Sequence, residues 1–256
     1  MKIFLISKKF AMLFLVVALG AVFLLAIGSG NAAEVFNEAE TERLLPIYNV
    51  DRGEEKVCSL TFDAAWDDAD TDRLIEILDR YNVKATFFMV GSWVEKYPES
   101  VKKFADRGHE IMNHSDTHPH IDRLSEQKVK EEINSCADKI EAVTGKRPTL
   151  FRGPYGEYNN TVIRAAQELG HRVLQWDVDS LDWKDLKTDD IVTRVLKRVQ
   201  PGSVMLFHNG AKNTPEALPQ IIEKLQAEGY KFLPATELLL PDPTTIDHKG
   251  TQVRSE

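Results

Sequence analysis

Seven short apolar runs, each followed by a polar turn and most by an amphipathic helical segment, constrain this chain more than any other feature. The runs are Lys56–Phe62, Lys84–Val90, His109–Asn113, Thr149–Phe151, Arg172–Trp176, Ser203–Phe207 and Lys231–Leu233. They are rich in Val, Leu and Phe and too short for helices, as strands covered on both faces should be. The intervening segments carry helix start and stop signals. Ser92 to Glu95 has capping-box spacing, and Pro98 and Gly108 bracket the next helix. Ser125 precedes the stripe Val129, Ile133, Ala137, Ile140 and Val143, which Gly145 ends. Thr214-Pro215 opens a helix that buries Leu218, Ile221, Ile222 and Leu225 and stops at Gly229. Strand–helix alternation of this kind predicts an α/β fold with a parallel sheet, closed or nearly closed into a barrel.

The ends of the chain read differently. Met1 to Lys9 is basic, Phe10 to Ile27 carries no charge, and Ser29 to Ala33 offers the small residues of a cleavage site. Residues 1–33 are therefore a signal peptide or an uncleaved membrane anchor, and the remainder is expected outside the cytoplasmic membrane, secreted or anchored to its outer face. Residues 34–55 read as a polar tether, residues 56–240 as one folded domain, and residues 241–256 as a flexible tail. The 256 residues carry a net charge of −8 even with Lys2, Lys8 and Lys9 counted. So acidic a surface argues against nucleic acid as a partner and leaves the N-terminal segment as the one route to a membrane. A monomer is expected. Of the two cysteines, Cys58 falls in a strand and Cys136 on an apolar helix face, which suits two buried thiols better than one disulfide.

Ionisable residues collect just past the strands. Asp63 follows the first, His114 the third and Arg152 the fourth; Asp177 and Asp179 follow the fifth, and His208 the sixth. In parallel α/β barrels these strand ends converge on one mouth, where chemistry is done. His114 and His118, spaced i, i+4 in NHSDTHPH, would share a metal ion if the loop begins with a helical turn; His120 is assigned to the surface. Asp63 suits a general base, and Arg152 would hold it ionised through a bidentate contact. His208 suits a general acid, kept charged by Asp177, Asp179 or Asp182, and Trp183 would wall an apolar slot. A base, two metal-ligating histidines and a separate acid fit metal-assisted hydrolysis of an amide or ester. Neither a glycine-rich phosphate cradle nor a serine nucleophile elbow occurs.

The segments LTFDAAW, HSDTH, RGPYG, DSLDW and LFH stand in the order of five motifs of the polysaccharide deacetylases, the NodB-homology or carbohydrate esterase 4 group, which residues 56–240 resemble. The resemblance implies a distorted (β/α) barrel and metal-dependent removal of N-acetyl groups from amino-sugar polymers of the cell wall, peptidoglycan foremost. It implies Asp63 as base, Arg152 as its tether, His114 and His118 as ligands of a zinc-like divalent ion, and His208 as acid tuned by Asp182. The amide of Tyr155 would meet the oxyanion, and Trp183 and Leu206 would line the acetyl slot. Ala64 departs from the pattern, which has a carboxylate there as third metal ligand. The ion should be weakly bound unless Asp67 or Asp68 turns back to it. An Asp-Ala pair also resembles an exported, sporulation-linked subgroup. Two alternatives stay open: a glycan-binding or morphogenetic protein with little or no chemistry, and an amidase on small N-acyl compounds.

Overall fold

The computed structural model describes residues 43–255; the expected signal or anchor and the first part of the tether, residues 34–42, lie outside them. Among the described residues no helix is long and apolar enough to cross a membrane. The strands are β1 (Asn49–Val50), β2 (Val57–Ala64), β3 (Thr86–Met89), β4 (Glu110–Asn113), β5 (Leu150–Phe151), β6 (Arg172–Val173), β7 (Val178–Asp179), β8 (Ser203–His208), β9 (Lys231–Phe232), β10 (Thr244–Ile246) and β11 (Thr251–Arg254). The principal helices are α1 (Thr71–Arg80), α2 (Gly91–Lys96), α3 (Pro98–Asp106), α4 (Glu126–Thr144), α5 (Asn160–Glu168), α6 (Thr188–Leu196) and α7 (Thr214–Ala227). All seven predicted strands are present.

One curled sheet runs β10-β11-β1-β8-β2-β3-β4-β5-β6, with β7 beside β8 and β9 beside β2. From β8 through β6 every pairing is parallel. The central strand β2 shows why the sequence folds this way. Cys58, Leu60, Phe62 and Ala64 pack into the cluster that also contains Leu74 and Leu78 of α1 and Leu218, Ile221 and Ile222 of α7. Ser59, Thr61 and Asp63 take the opposite face by the two-residue period of a strand. A second cluster, with Phe88, Met112, Leu150, Leu174 and Val204, fills the inside of the curl. Cys58 and Cys136 are buried and free, and burial raises both thiol pKa values.

Two segments expected to be loose are part of the sheet. Ile47, assigned to the tether, bridges Leu174 just past β6, and Asn49 two residues on pairs antiparallel to Ser203 of β8. Residues 47–50 thus span the gap between β6 and β8. Gly202 makes this close approach feasible: its φ is +84°, and a Cβ there would lie 1.8 Å from the Val50 carbonyl oxygen. The expected flexible tail forms the β10–β11 hairpin, and β11 runs parallel to β1. Gln252, 1% exposed, staples the hairpin down. It accepts from the Leu240 amide at 2.9 Å and donates to the Leu240 carbonyl at 3.2 Å.

The helix signals hold at Ser125, whose Oγ accepts from the Lys128 amide, and at Gly145, which ends α4 with φ 71°. The Ser92 capping box does not form. Val90 takes the cap position two residues earlier, helix α2 starts at Gly91, and the amides of Gly91 and Ser92 donate to the carbonyls of Ser115 and Asp116. A tertiary partner satisfies the helix end that a side chain was expected to cap, and the same bonds anchor the histidine loop.

Candidate active site

A cavity of about 490 Å³ opens at the C-terminal ends of β2, β4 and β8, and Asp63, His114, His118, Tyr155, Trp183, Leu206 and His208 all line it. Arg152 and Asp182 lie behind it, each bonded to one of the lining residues. The parallel register sets Asp63 directly opposite His208 across β2 and β8.

Asp63 is buried with Arg152, which has no exposed surface. The contact is a single hydrogen bond, Arg152 Nη1 to Asp63 Oδ1 at 2.8 Å, rather than the bidentate pair expected. The rest of the guanidinium donates to the carbonyls of Leu174 and Gln175 and lies over the Phe88 ring, 4.0 Å from its centroid. Burial works against the Asp63 charge, but Arg152, with smaller help from His114 and His208, outweighs it and sets the pKa below the usual carboxylate range. Oδ2 of Asp63 faces Nε2 of His114 at 3.5 Å.

The two histidines are brought together without a helical turn. Ser115 and His118 both take left-handed φ, 66° and 60°. The loop that follows β4 is pinned instead: Glu132 accepts from the amides of Asp116 and Thr117, Asn113 Oδ1 from the Ser115 amide, and Ser115 Oγ from the His118 amide. The imidazoles end with centroids 5.0 Å apart and planes at 67°. His114 Nδ1 donates to the Arg152 carbonyl, which leaves the Nε2 lone pair toward the cavity. Burial pushes both pKa values down, that of His118 to about 4, so both rings are neutral at physiological pH.

His208 is held the opposite way. Its Nδ1 donates to Asp182 Oδ1 at 2.8 Å, and Asp182 Oδ2 accepts from the His208 amide and from Thr214 Oγ1. Burial lowers the imidazole pKa most, yet the bond and charge of Asp182, with the charges of Asp63 and Asp179, carry it above the usual value. Asp177, expected at the mouth, points elsewhere: it accepts from Ser203 Oγ and the Val204 amide at the start of β8. Asp179 does line the cavity.

The three exposed large apolar side chains among the described residues, Trp66 (48%), Tyr155 (62%) and Trp183 (47%), all stand at this mouth. Tyr155 has φ 58° in the turn after Arg152, and His120, assigned to the surface, stacks on its ring while bonding Glu157. Trp66 and Trp176 also line the cavity, and neither was expected there from the sequence. A large aromatic three residues past a strand-end Asp, in an otherwise acidic loop, was the available signal for Trp66.

The donors present suit a zinc-type ion only in part. Two neutral imidazoles offer nitrogen ligands, and zinc sites usually have at least three protein ligands. Ala64 is buried on the helix-facing side of β2. Asp67 Oδ1 accepts from the Ala69 amide and Asp68 Oδ2 from Ser100 Oγ, so neither carboxylate turns back to the histidines. Among the described residues no group of three or more His, Cys, Asp or Glu is placed to hold a metal.

A parallel α/β barrel with an ionised carboxylate facing a charge-stabilised imidazole at its C-terminal mouth has the layout of a barrel hydrolase. The family model for polysaccharide deacetylases matches residues 51–174. A peptidoglycan-N-acetylmuramic acid deacetylase of Bacillus subtilis is 38% identical over 184 residues, 72% of this chain and 39% of that protein. A peptidoglycan-N-acetylglucosamine deacetylase of Bacillus cereus is 34% identical over 72% of this chain and 89% of its own length. Among solved structures, a CE4 family pseudoenzyme from Bacillus anthracis aligns with TM-score 0.73 at 35% identity, covering 75% of this chain and 68% of that one. A mutant of that pseudoenzyme with restored enzymatic activity aligns with the same TM-score. The chain belongs to the polysaccharide deacetylase family.

Proposed function

We propose that the protein is an exported hydrolase that removes N-acetyl groups from cell-wall amino-sugar polymers, peptidoglycan first among them. The observation that carries this reading is the placement of Asp63 and His208 side by side in register on adjacent strands at one cavity, each with a buried partner of opposite charge. Asp63 takes a proton from water as the water's oxygen bonds to the acetyl carbonyl carbon. The Tyr155 amide donates to the resulting oxyanion, and Trp183 and Leu206 flank the acetyl methyl. His208, protonated on Nε2, gives that proton to the sugar nitrogen as the carbon–nitrogen bond breaks, releasing acetate and a free amine. A divalent ion held loosely by His114 and His118 would polarise the carbonyl and acidify the water. The aromatic rim of Trp66, Tyr155 and Trp183 suits sugar rings, whose C–H faces stack on such surfaces. The resemblance of the N-terminal segment to a signal or anchor, together with relatives that act on peptidoglycan, supports a site of action outside the membrane.

Ala64 and the missing third ligand favour a second reading, a wall-glycan binder with little chemistry, and a pseudoenzyme among the structural relatives lends it weight. Incubation with purified peptidoglycan and with acetylated chitooligosaccharides, with and without zinc, separates the two. Acetate release supports the hydrolase; retention on the glycan with no acetate released supports the binder.

A further inference from the structure

Trp66, at the mouth, packs directly on the imidazole of His208. The two rings are nearly parallel, 19° apart, with centroids at 5.4 Å, an offset stack. The backbone that carries the indole is tied down. Its neighbour Asp67 accepts at its carbonyl from Trp93 Nε1 and from Asn209 Nδ2, and the Gly210 amide donates to Asp70 Oδ2 at 2.7 Å. A Cβ on Gly210 would lie 3.6 Å from the Cβ of Trp66, so the indole's base sits against the turn that follows His208. The loop after β2 and the loop after β8 are thereby joined, with the stacked pair at the join. Meanwhile Asp182 holds the ring's Nδ1 edge, and Nε2 is the nitrogen left to face the cavity.

We propose that Trp66 is a positioning residue for His208, its indole face keeping the imidazolium flat, charged and aimed with Nε2 into the cavity. A cation over an indole is attracted by the ring's negative face, and Trp does this best of the aromatic residues. The other groups that act on His208 are Asp182 before α6, Asp63 on β2, Asp179 on β7, and His114 and His118 from the loop after β4. A change at Trp66 deletes none of these charges, and comparing Trp66→Leu with Trp66→Phe separates the π face from apolar cover. This inference rests on the reading of His208 as the acid, and its test does not need activity.

The test is an NMR titration of the His208 imidazole in metal-free, chelator-treated protein: parent, Trp66→Leu and Trp66→Phe, with the resonance assigned through His208→Gln. Trp66→Leu keeps apolar cover without a π face. It should lower the His208 pKa by about 0.4 to 0.7 of a unit, the size of a cation–π contact at an exposed site, and Trp66→Phe should keep most of the parent value. In acetate release the alkaline limb should move down by the same amount in Trp66→Leu, independently of any rise in KM from losing the indole as a surface for the sugar. An unmoved His208 pKa in Trp66→Leu overturns the proposal, and so does a raised KM with an unmoved pKa, which would make the indole a sugar platform only. A parent that releases no acetate would sink the hydrolase reading, while the titration would still decide the role of Trp66.

Discussion

Asp182 makes the sharpest residue-scale prediction because it touches His208 at two atoms. Asp182→Asn removes the charge that holds the imidazole protonated, so the His208 pKa falls. The acid form is then lost at lower pH, and the alkaline limb of the pH–rate profile moves to lower pH. An unmoved limb with activity retained would contradict the assignment. With Asp63 as the proposed base, ionised beside Arg152, the acid limb is expected to lie below the usual carboxylate range. The paired histidines are tested by metal binding alone. Calorimetric titration of zinc into dialysed protein should give a weak site that His118→Ala abolishes; unchanged affinity in that variant would mean the ion binds elsewhere. These side chains were readable in the sequence because each ends a strand or follows one closely, where identity and place coincide. Trp66 was only partly readable, since an aromatic just past a strand-end Asp points to the mouth but not to the histidine on which it stacks.

At the scale of elements, the buried strands declared themselves by composition and the edges did not. The runs that became β2, β3, β4 and β8 are apolar because both faces are covered. β10 and β11 lie at the sheet's margin, where alternation of Thr, Ile, Gln and Val around a polar turn resembles a loop. Their stability comes from tertiary contacts such as Gln252, which no local pattern reveals. Gln252→Leu should therefore leave the amide and carbonyl of Leu240 buried without partners, a loss of about 1–3 kcal/mol. In a domain of this size that lowers the melting temperature by roughly 2–10 °C, measurable by circular dichroism. A melt at the parent temperature would show the hairpin to be a passive appendage. The histidine loop teaches the same point. Spacing i, i+4 would bring the rings together only on a helical turn, yet they converge without one because α2, Glu132 and Asn113 pin an irregular backbone with two left-handed residues.

At the scale of the whole molecule, curling the sheet converts five scattered sequence positions into one cavity. Asp63 and Arg152 are far apart in the chain and bond at 2.8 Å, and the register of β2 against β8 delivers His208 opposite them. The segment across residues 47–50 bridges the curl between β6 and β8, which gives a nominal tether a structural role. The central claim is that this cavity performs acid–base hydrolysis of an N-acetyl group. Its most direct test is acetate release from purified peptidoglycan by the parent protein and by Asp63→Asn, a change that removes the base and keeps its shape. Measurable release by the parent is expected, with a loss on the order of 10²–10⁴ in the variant while its melting curve and glycan retention are preserved. Equal release by the two proteins, or none by the parent at any zinc concentration, would contradict it.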